Sequence, residues 1–247
     1  MQLSVLSYNI HKGFSTSSRR FTLKAIKEGI QASGADLVFL QEVLGRHDLH
    51  ARRHAEWPTE SQFEYLADTV WGHYAYGKNA VYDEGHHGNA LLSKLPIVAW
   101  ENFDVSTNRF ERRGVLHAVV NDPESGINIH TICLHFNLLR QSRSRQLSDL
   151  CNIVAQHVPK ASPLIIAGDF NDWNSRASNV ICKELSLREA FKELHGRYAK
   201  TFPSRLPVAQ LDRIYFRGFT PVRAKVLVGR EWSRLSDHSP ILSVLEL

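Results

Sequence analysis

Apolar positions fall into short dense runs separated by polar turns along the whole chain. Residues 3–9 (LSVLSYN), 36–43 (DLVFLQEV) and 163–169 (PLIIAGD) are rich in branched side chains without strict alternation, which predicts strands buried on both faces. Within residues 20–34, Leu23, Ile26 and Ile30 recur at helical spacing and Gly34 provides a stop. A short helix is expected over 60–70, a longer one over 139–158, and helical pieces within 178–194. Between 73 and 136 the runs HYAYGKNAVY, NALLSKLPIVAW, RGVLHAVV and INIHTICLHF follow too closely for simple βαβ alternation, so antiparallel pairing is expected there. Closing strands are read in LDRIYFRG, AKVLVG and SPILSVLEL. The expected fold is α/β (α+β), two mixed sheets packed face to face with helices outside, in one domain spanning 1–247.

Composition changes this picture only in part. With 43% hydrophobic and 22% charged residues the chain has ample material for a core. No apolar run approaches the roughly 18 residues of a membrane span. The start, MQLSVLSYNIHKG, lacks a basic region and a cleavage site, so a cytoplasmic address is expected. Cys133, Cys151 and Cys182 have neither zinc nor redox spacing and are expected as reduced thiols. The net charge of +5 favours an anionic partner: nucleic acid, a membrane surface or a phosphorylated small molecule.

Chemistry-bearing residues collect where the strands end. Asn9, Glu42, His135 with Asn137, and Asp169 with Asn171 close four runs, while Asp212 opens one and Asp237 and His238 precede another. Any one of these alone is better explained as a cap or turn residue; six such places together are not. Oxygen donors without cysteine suit a hard cation such as Mg²⁺, Mn²⁺ or Ca²⁺. A histidine beside an acid supplies a base or an orienting pair. Together these groups point to hydrolysis of a phosphate ester by metal-assisted, in-line attack of water.

The ordered set SYNIHKG, LQEV, GNALLSKLPI, LHFN, GDFN, LDRIYF and SDHSPI, from residue 7 to residue 241, resembles the endonuclease/exonuclease/phosphatase (DNase I-like) superfamily. The resemblance implies a four-layer sandwich and a Mg²⁺ (or Mn²⁺) cofactor. It implies Glu42 as the principal metal carboxylate, with Asn9 and Asp237 completing or flanking that site. Asp169 would position water or hold a second metal, and Asn171 would donate to the phosphate. His238, paired with Asp212, would contact the phosphoryl oxygen or act as acid or base, with His135 as a second imidazole. Asn89, Arg113 and His11 are candidate phosphate contacts.

Two departures bear on substrate. Members acting on abasic DNA carry an acid or amide where this chain has His11, and a tyrosine where it has His135. The latter resembles DNase I and the sphingomyelinases instead. The start SYNIHKG is similar to bacterial calcofluor-hypersensitive or sphingomyelinase-like members. The expected activity is phosphodiester hydrolysis by a monomer, nucleic acid slightly ahead of a phospholipid head group. A phosphomonoesterase and a non-catalytic binding module are the alternatives.

Further features have a plainer reading beside, or in place of, a functional one. Residues 45–57, with His47, His50, His54 and Arg46, Arg52 and Arg53, read as a loop, either substrate-facing or merely solvated. His86 and His87 read as loop residues. Arg112 and Arg113 suit a phosphate or a strand-edge salt bridge. Arg140, Arg143 and Arg145 oppose the dipole of their helix and call for an anion nearby, from substrate or from neighbouring acids. The five tryptophans are expected in the core, except Trp173, which is expected to line the site.

Overall fold

The computed structural model describes residues 1–16 and 20–247. Two six-stranded sheets face each other. In the first, β1 (Gln2–Asn9) and β2 (Leu37–His47) run parallel at the centre, joined by α1 (Leu23–Ser33). Around them lie β3 (His73–Tyr82), β4 (Gly85–Ser93), β11 (Thr220–Val226) and β12 (Ile241–Glu246), in the order β11-β12-β1-β2-β4-β3.

The second sheet repeats this plan. Its parallel pair is β7 (Asn128–His135) and β8 (Leu164–Asp169), joined by α4 (Arg140–His157). With β5 (Ile97–Asp104), β6 (Gly114–Asn121), β9 (Arg188–Glu189) and β10 (Asp212–Arg217) the order is β5-β6-β7-β8-β10-β9. The strands from β3 to β7 pair antiparallel, as their crowding in sequence predicts.

Three apolar layers explain the unbroken runs. Leu37, Phe39, Ile165 and Ala167 point between the sheets, where they meet Leu116, Ile214 and Phe216. The alternate residues Val38 and Leu40 pack outward on Ile26 and Ile30 of α1. Leu164 and Ile166 pack outward on Ile153 of α4 and Ile181 of α5 (Arg176–Glu184). A strand covered on both faces needs both of its period-two sets apolar. Burying each Leu or Ile contributes about 1.5–3 kcal/mol, so the sandwich is held chiefly by these layers. Gly168 lets β8 approach β7 closely: a Cβ there would lie 2.0 Å from the Leu134 carbonyl oxygen.

Two expectations need correction. Residues 45–57 are not one loop, since β2 continues to His47 and Asp48–Arg53 form α2. The His47 side chain caps α2 by accepting the His50 backbone N–H. His86 and His87 likewise lie in β4, where His87 pairs with Leu44. In both cases a cross-strand ladder satisfies backbone groups that polar composition alone assigns to solvent. Of the tryptophans, Trp71 and Trp232 are buried, whereas Trp100 joins Trp173 at the surface. No helix among the described residues is long and apolar enough to cross a membrane.

Candidate functional site

The parallel pairs bring the chemistry together. Asn9 is level with Gln41 in the first sheet, one residue before Glu42, and His135 is level with Asp169 in the second. Asp212 pairs with Asp169 from the other side. The same edge of both sheets therefore carries all of these groups, and the sheets close on each other beneath them. Their floor is buried polar contact: Asn89 Nδ2 donates to the Gly114 carbonyl at 3.0 Å, and Gln41 Nε2 to Cys133 Sγ at 3.4 Å.

Asp169 is the hub. Its Oδ2 accepts from Asn9 Nδ2 at 3.2 Å and lies 3.4 Å from His135 Nε2 and 3.6 Å from His238 Nε2. Its Oδ1 accepts the Asn171 backbone N–H at 2.9 Å, which Asn171 reaches through a left-handed backbone, φ 47°. The Asn171 amide nitrogen then donates to the Phe136 carbonyl at 2.9 Å and lies 3.2 Å from His135 Nε2. His238 Nδ1 lies 2.9 Å from Asp212 Oδ2. Asp212 Oδ1 is buried with no hydrogen-bond partner among the described residues.

The charges follow from this packing. Burial pushes the Asp169 carboxyl up to about 6, against the pull of His238. Burial alone would lower His238, but Asp212 and then Asp169 hold it up at about 10, so the imidazole carries a proton at neutral pH. His135 moves the other way: burial, with the charge of Arg113 next, holds it well below its ordinary value, and it is neutral. Asp169, Asp212 and His238 place one ligand atom each within 4.8 Å of the others. His238 thus stands between the two carboxyls, 2.9 Å from Asp212 and 3.6 Å from Asp169.

Glu42 stands apart from this trio. A bulge interrupts the β2–β4 register between Leu40 and Val43, and Glu42 sits in it at φ 55°. Its carboxylate has neither hydrogen bond nor ion pair among the described residues. Ser236 ties the last segment in: its hydroxyl donates to the Asn9 carbonyl at 2.7 Å and lies 3.3 Å from Asp237 Oδ1. Asp237 Oδ1 also lies 3.8 Å from His11 Nδ1. His11, Lys12, Glu42 and Asn171 all have positive φ. Strained backbone of this kind, at about 1–3 kcal/mol each, clusters where side chains must be aimed.

The other candidates take intermediate places. Arg113 pairs with Glu111 at 2.9 Å, as the salt-bridge reading expects, while its charge also acts on His135 and His87. Arg112 is exposed, 3.8 Å from Asp104. Arg143 donates to the Asn137 and Leu138 carbonyls and feels Asp172, Asp169 and Glu111, so neighbouring acids explain its position at the start of α4. Trp173 packs edge-on against Phe202, whose ring lies 5.0 Å from that of His238.

Two contributors escape a reading of the sequence. Lys12, inside the motif SYNIHKG, acts electrostatically on His135, His87, His47 and His50. His87, pushed down to about 4 by burial and then by Lys12 and Arg113, joins the same neighbourhood. The motif itself was the available signal for Lys12; nothing local marks His87.

Comparison with known proteins bears on the fold and the family. The chain is 44% identical to YbhP of Escherichia coli (strain K12) over 243 residues, 98% of this chain and 96% of that protein. Among solved structures it superposes on D. rerio TDP2 complexed with a single-strand DNA product, with TM-score 0.74, 21% identity and coverage of 100% of this chain and 99% of the other. It also superposes on the mannosyl-6-phosphatase Bt3783 of Bacteroides thetaiotaomicron, with TM-score 0.75, 20% identity and coverage of 99% and 100%. The family model for the Endonuclease/Exonuclease/phosphatase family matches residues 6–238, so the chain belongs to that family of phosphoesterases.

Proposed function

We propose that the protein is a divalent-metal-dependent hydrolase of phosphodiester bonds. The observation that supports this reading is the Asp169 carboxylate, poised between Asn9, His135 and a protonated His238 backed by Asp212. A buried carboxyl at about 6 is matched to removing a proton from water near neutral pH. His238 presents a proton to the phosphoryl or leaving oxygen, and Asp212 keeps it charged. Asn9, Asn171 and His135 orient the phosphate around Asp169.

The residues around Glu42 fit a hard cation. A partnerless carboxylate in a strained bulge, Asn9 Oδ1 and Asp237 supply oxygen donors and no thiolate. Mg²⁺ or Mn²⁺ held there would neutralise charge on the phosphoryl oxygens. The net charge of +5 serves a nucleic acid and an anionic lipid equally.

The test is hydrolysis of bis-p-nitrophenyl phosphate beside p-nitrophenyl phosphate, with Mg²⁺, with Mn²⁺ and with EDTA. Preferential cleavage of the diester, lost in EDTA, in Glu42→Ala and in His238→Ala, is the expected result. Activity that survives both substitutions overturns the site, and preference for the monoester overturns the bond assigned.

A further inference from the structure

The loops that leave the catalytic edge share a property that the chemistry does not require. Among the described residues, the six most exposed large apolar side chains are Val81, Phe110, Leu138, Leu139, Leu206 and Val208, exposed from 61% to 85%, whereas the next reaches 58%. Strand pairing places all six at one edge. Phe110 lies in the segment between β5 and β6, where Asp104 pairs with Gly114. Leu138 and Leu139 follow His135, the last residue of β7. Leu206 and Val208 precede Asp212, which pairs with Asp169. Val81 lies near the tip of the β3–β4 hairpin, which pairs with β2 beyond Glu42.

Exposed arginines stand directly beside three of these tips, Arg109 before Phe110, Arg140 after Leu139, and Arg205 before Leu206, whereas the β3–β4 tip carries the exposed acids Asp83 and Glu84. The Arg109 guanidinium lies 4.7 Å over the Phe110 ring. The acid in the Phe110 segment, Glu111, is engaged by Arg113 and by the Leu138 N–H. Scattered single apolar residues on a surface need no explanation; a set confined to the rim of one site does.

We propose that this rim seats on an anionic lipid surface and that the substrate is a phospholipid head-group phosphodiester, a reading that rests on the phosphodiesterase function above. Apolar tips interleaved with arginines are the arrangement that enters the boundary between acyl chains and head groups. The tips take the apolar side of that boundary, and the guanidinium groups meet lipid phosphates at its polar side. The Asp169–His238 centre, at the base of the same loops, then faces the layer in which lipid phosphodiesters lie. A strand of nucleic acid would use the arginines but gain little from aliphatic tips such as Leu138, Leu139 and Leu206, because base stacking needs aromatic faces.

Flotation in EDTA, where turnover is stopped, tests this with vesicles of phosphatidylcholine alone and of phosphatidylcholine with about one-third phosphatidylglycerol. The wild type is expected to float with the anionic vesicles and less with the neutral ones. Combined Phe110→Ser, Leu138→Ser, Leu139→Ser and Leu206→Ser substitutions should reduce that partition at least about tenfold. The same variant should hydrolyse soluble bis-p-nitrophenyl phosphate at the wild-type rate, which reports on folding and on the phosphodiesterase function separately from the surface. Wild-type protein that stays unbound with both vesicles overturns the proposal, as does a variant that floats equally well. So does a variant that keeps its vesicle binding but loses affinity for a single-stranded oligonucleotide, or one whose only defect is loss of self-association.

Discussion

Burial, each other's charge and that of Asp212 set the charge states of Asp169 and His238, so their chemistry is testable one side chain at a time. With Asp212→Asn the nearest stabilising charge is gone, and burial, which favours neutral imidazole, prevails. The His238 pKa should fall from about 10 and be read in an NMR titration, while turnover falls by about 10²–10⁴-fold. An unchanged titration would show that Asp212 does not hold the His238 charge. Glu42 invites the opposite kind of test. Its φ of 55° suits glycine, so Glu42→Gly should gain about 1 kcal/mol, raising the melting temperature by about 2–4 °C while metal-dependent turnover is lost. A lower melting temperature would show that the bulge is not strained.

Elements that end at the site are held by side chains that take no part in the chemistry. Asp172 follows Asn171, and its buried carboxylate accepts the N–H groups of Arg176, Ala177 and Ser178 at 3.1, 2.9 and 3.4 Å. These are donors that the first turn of α5 would otherwise leave unpaired. Asp172→Ala should cost about 1–2 kcal/mol in chemical denaturation. A change within error would place the cap elsewhere. At the same scale, α2 and the far end of β2 show why residues 45–57 misled: His54 packs edge-on against Phe14, Trp57 stacks on Phe21 and His50 on Trp57, tertiary contacts that polarity conceals.

Across the whole molecule, burial has set the histidines against acid. His47, His50, His86, His87, His117, His130 and His135 are all pushed below their ordinary value, with burial the first cause in each. His117 is representative: it falls to about 4, and its Nε2 lies 3.0 Å from His130 Nδ1. A group with a depressed folded pKa binds its proton first in the unfolded chain, so stability is full above 6.5 and is lost as pH falls toward 4. Two buried carboxyls work in the opposite sense, Asp169 at about 6 and Glu189 at about 7, because the fold takes up their protons first. His238, held up at about 10, adds stability in the same sense as the pH falls to 6.5; seven groups outweigh these three, so the urea midpoint should drop between about pH 7 and about pH 5. A flat or rising midpoint would show that the histidines are more open than their packing indicates.

The sequence by itself determined the strands that two covered faces make continuously apolar, the period-two division of Leu37 and Phe39 from Val38 and Leu40, and the polar residues waiting at their ends. These are legible because periodicity and chain ends are local properties. Tertiary structure alone decided that Asn9 meets Asp169 across 160 residues, that His87 shares a neighbourhood with Lys12 and Arg113, and that Leu138 and Leu206 face solvent beside the site. Periodicity states which residues share a face, not which strand lies alongside. Hydrogen bonds and pKa shifts act over a few ångströms, so they exist only once strand order has closed those distances.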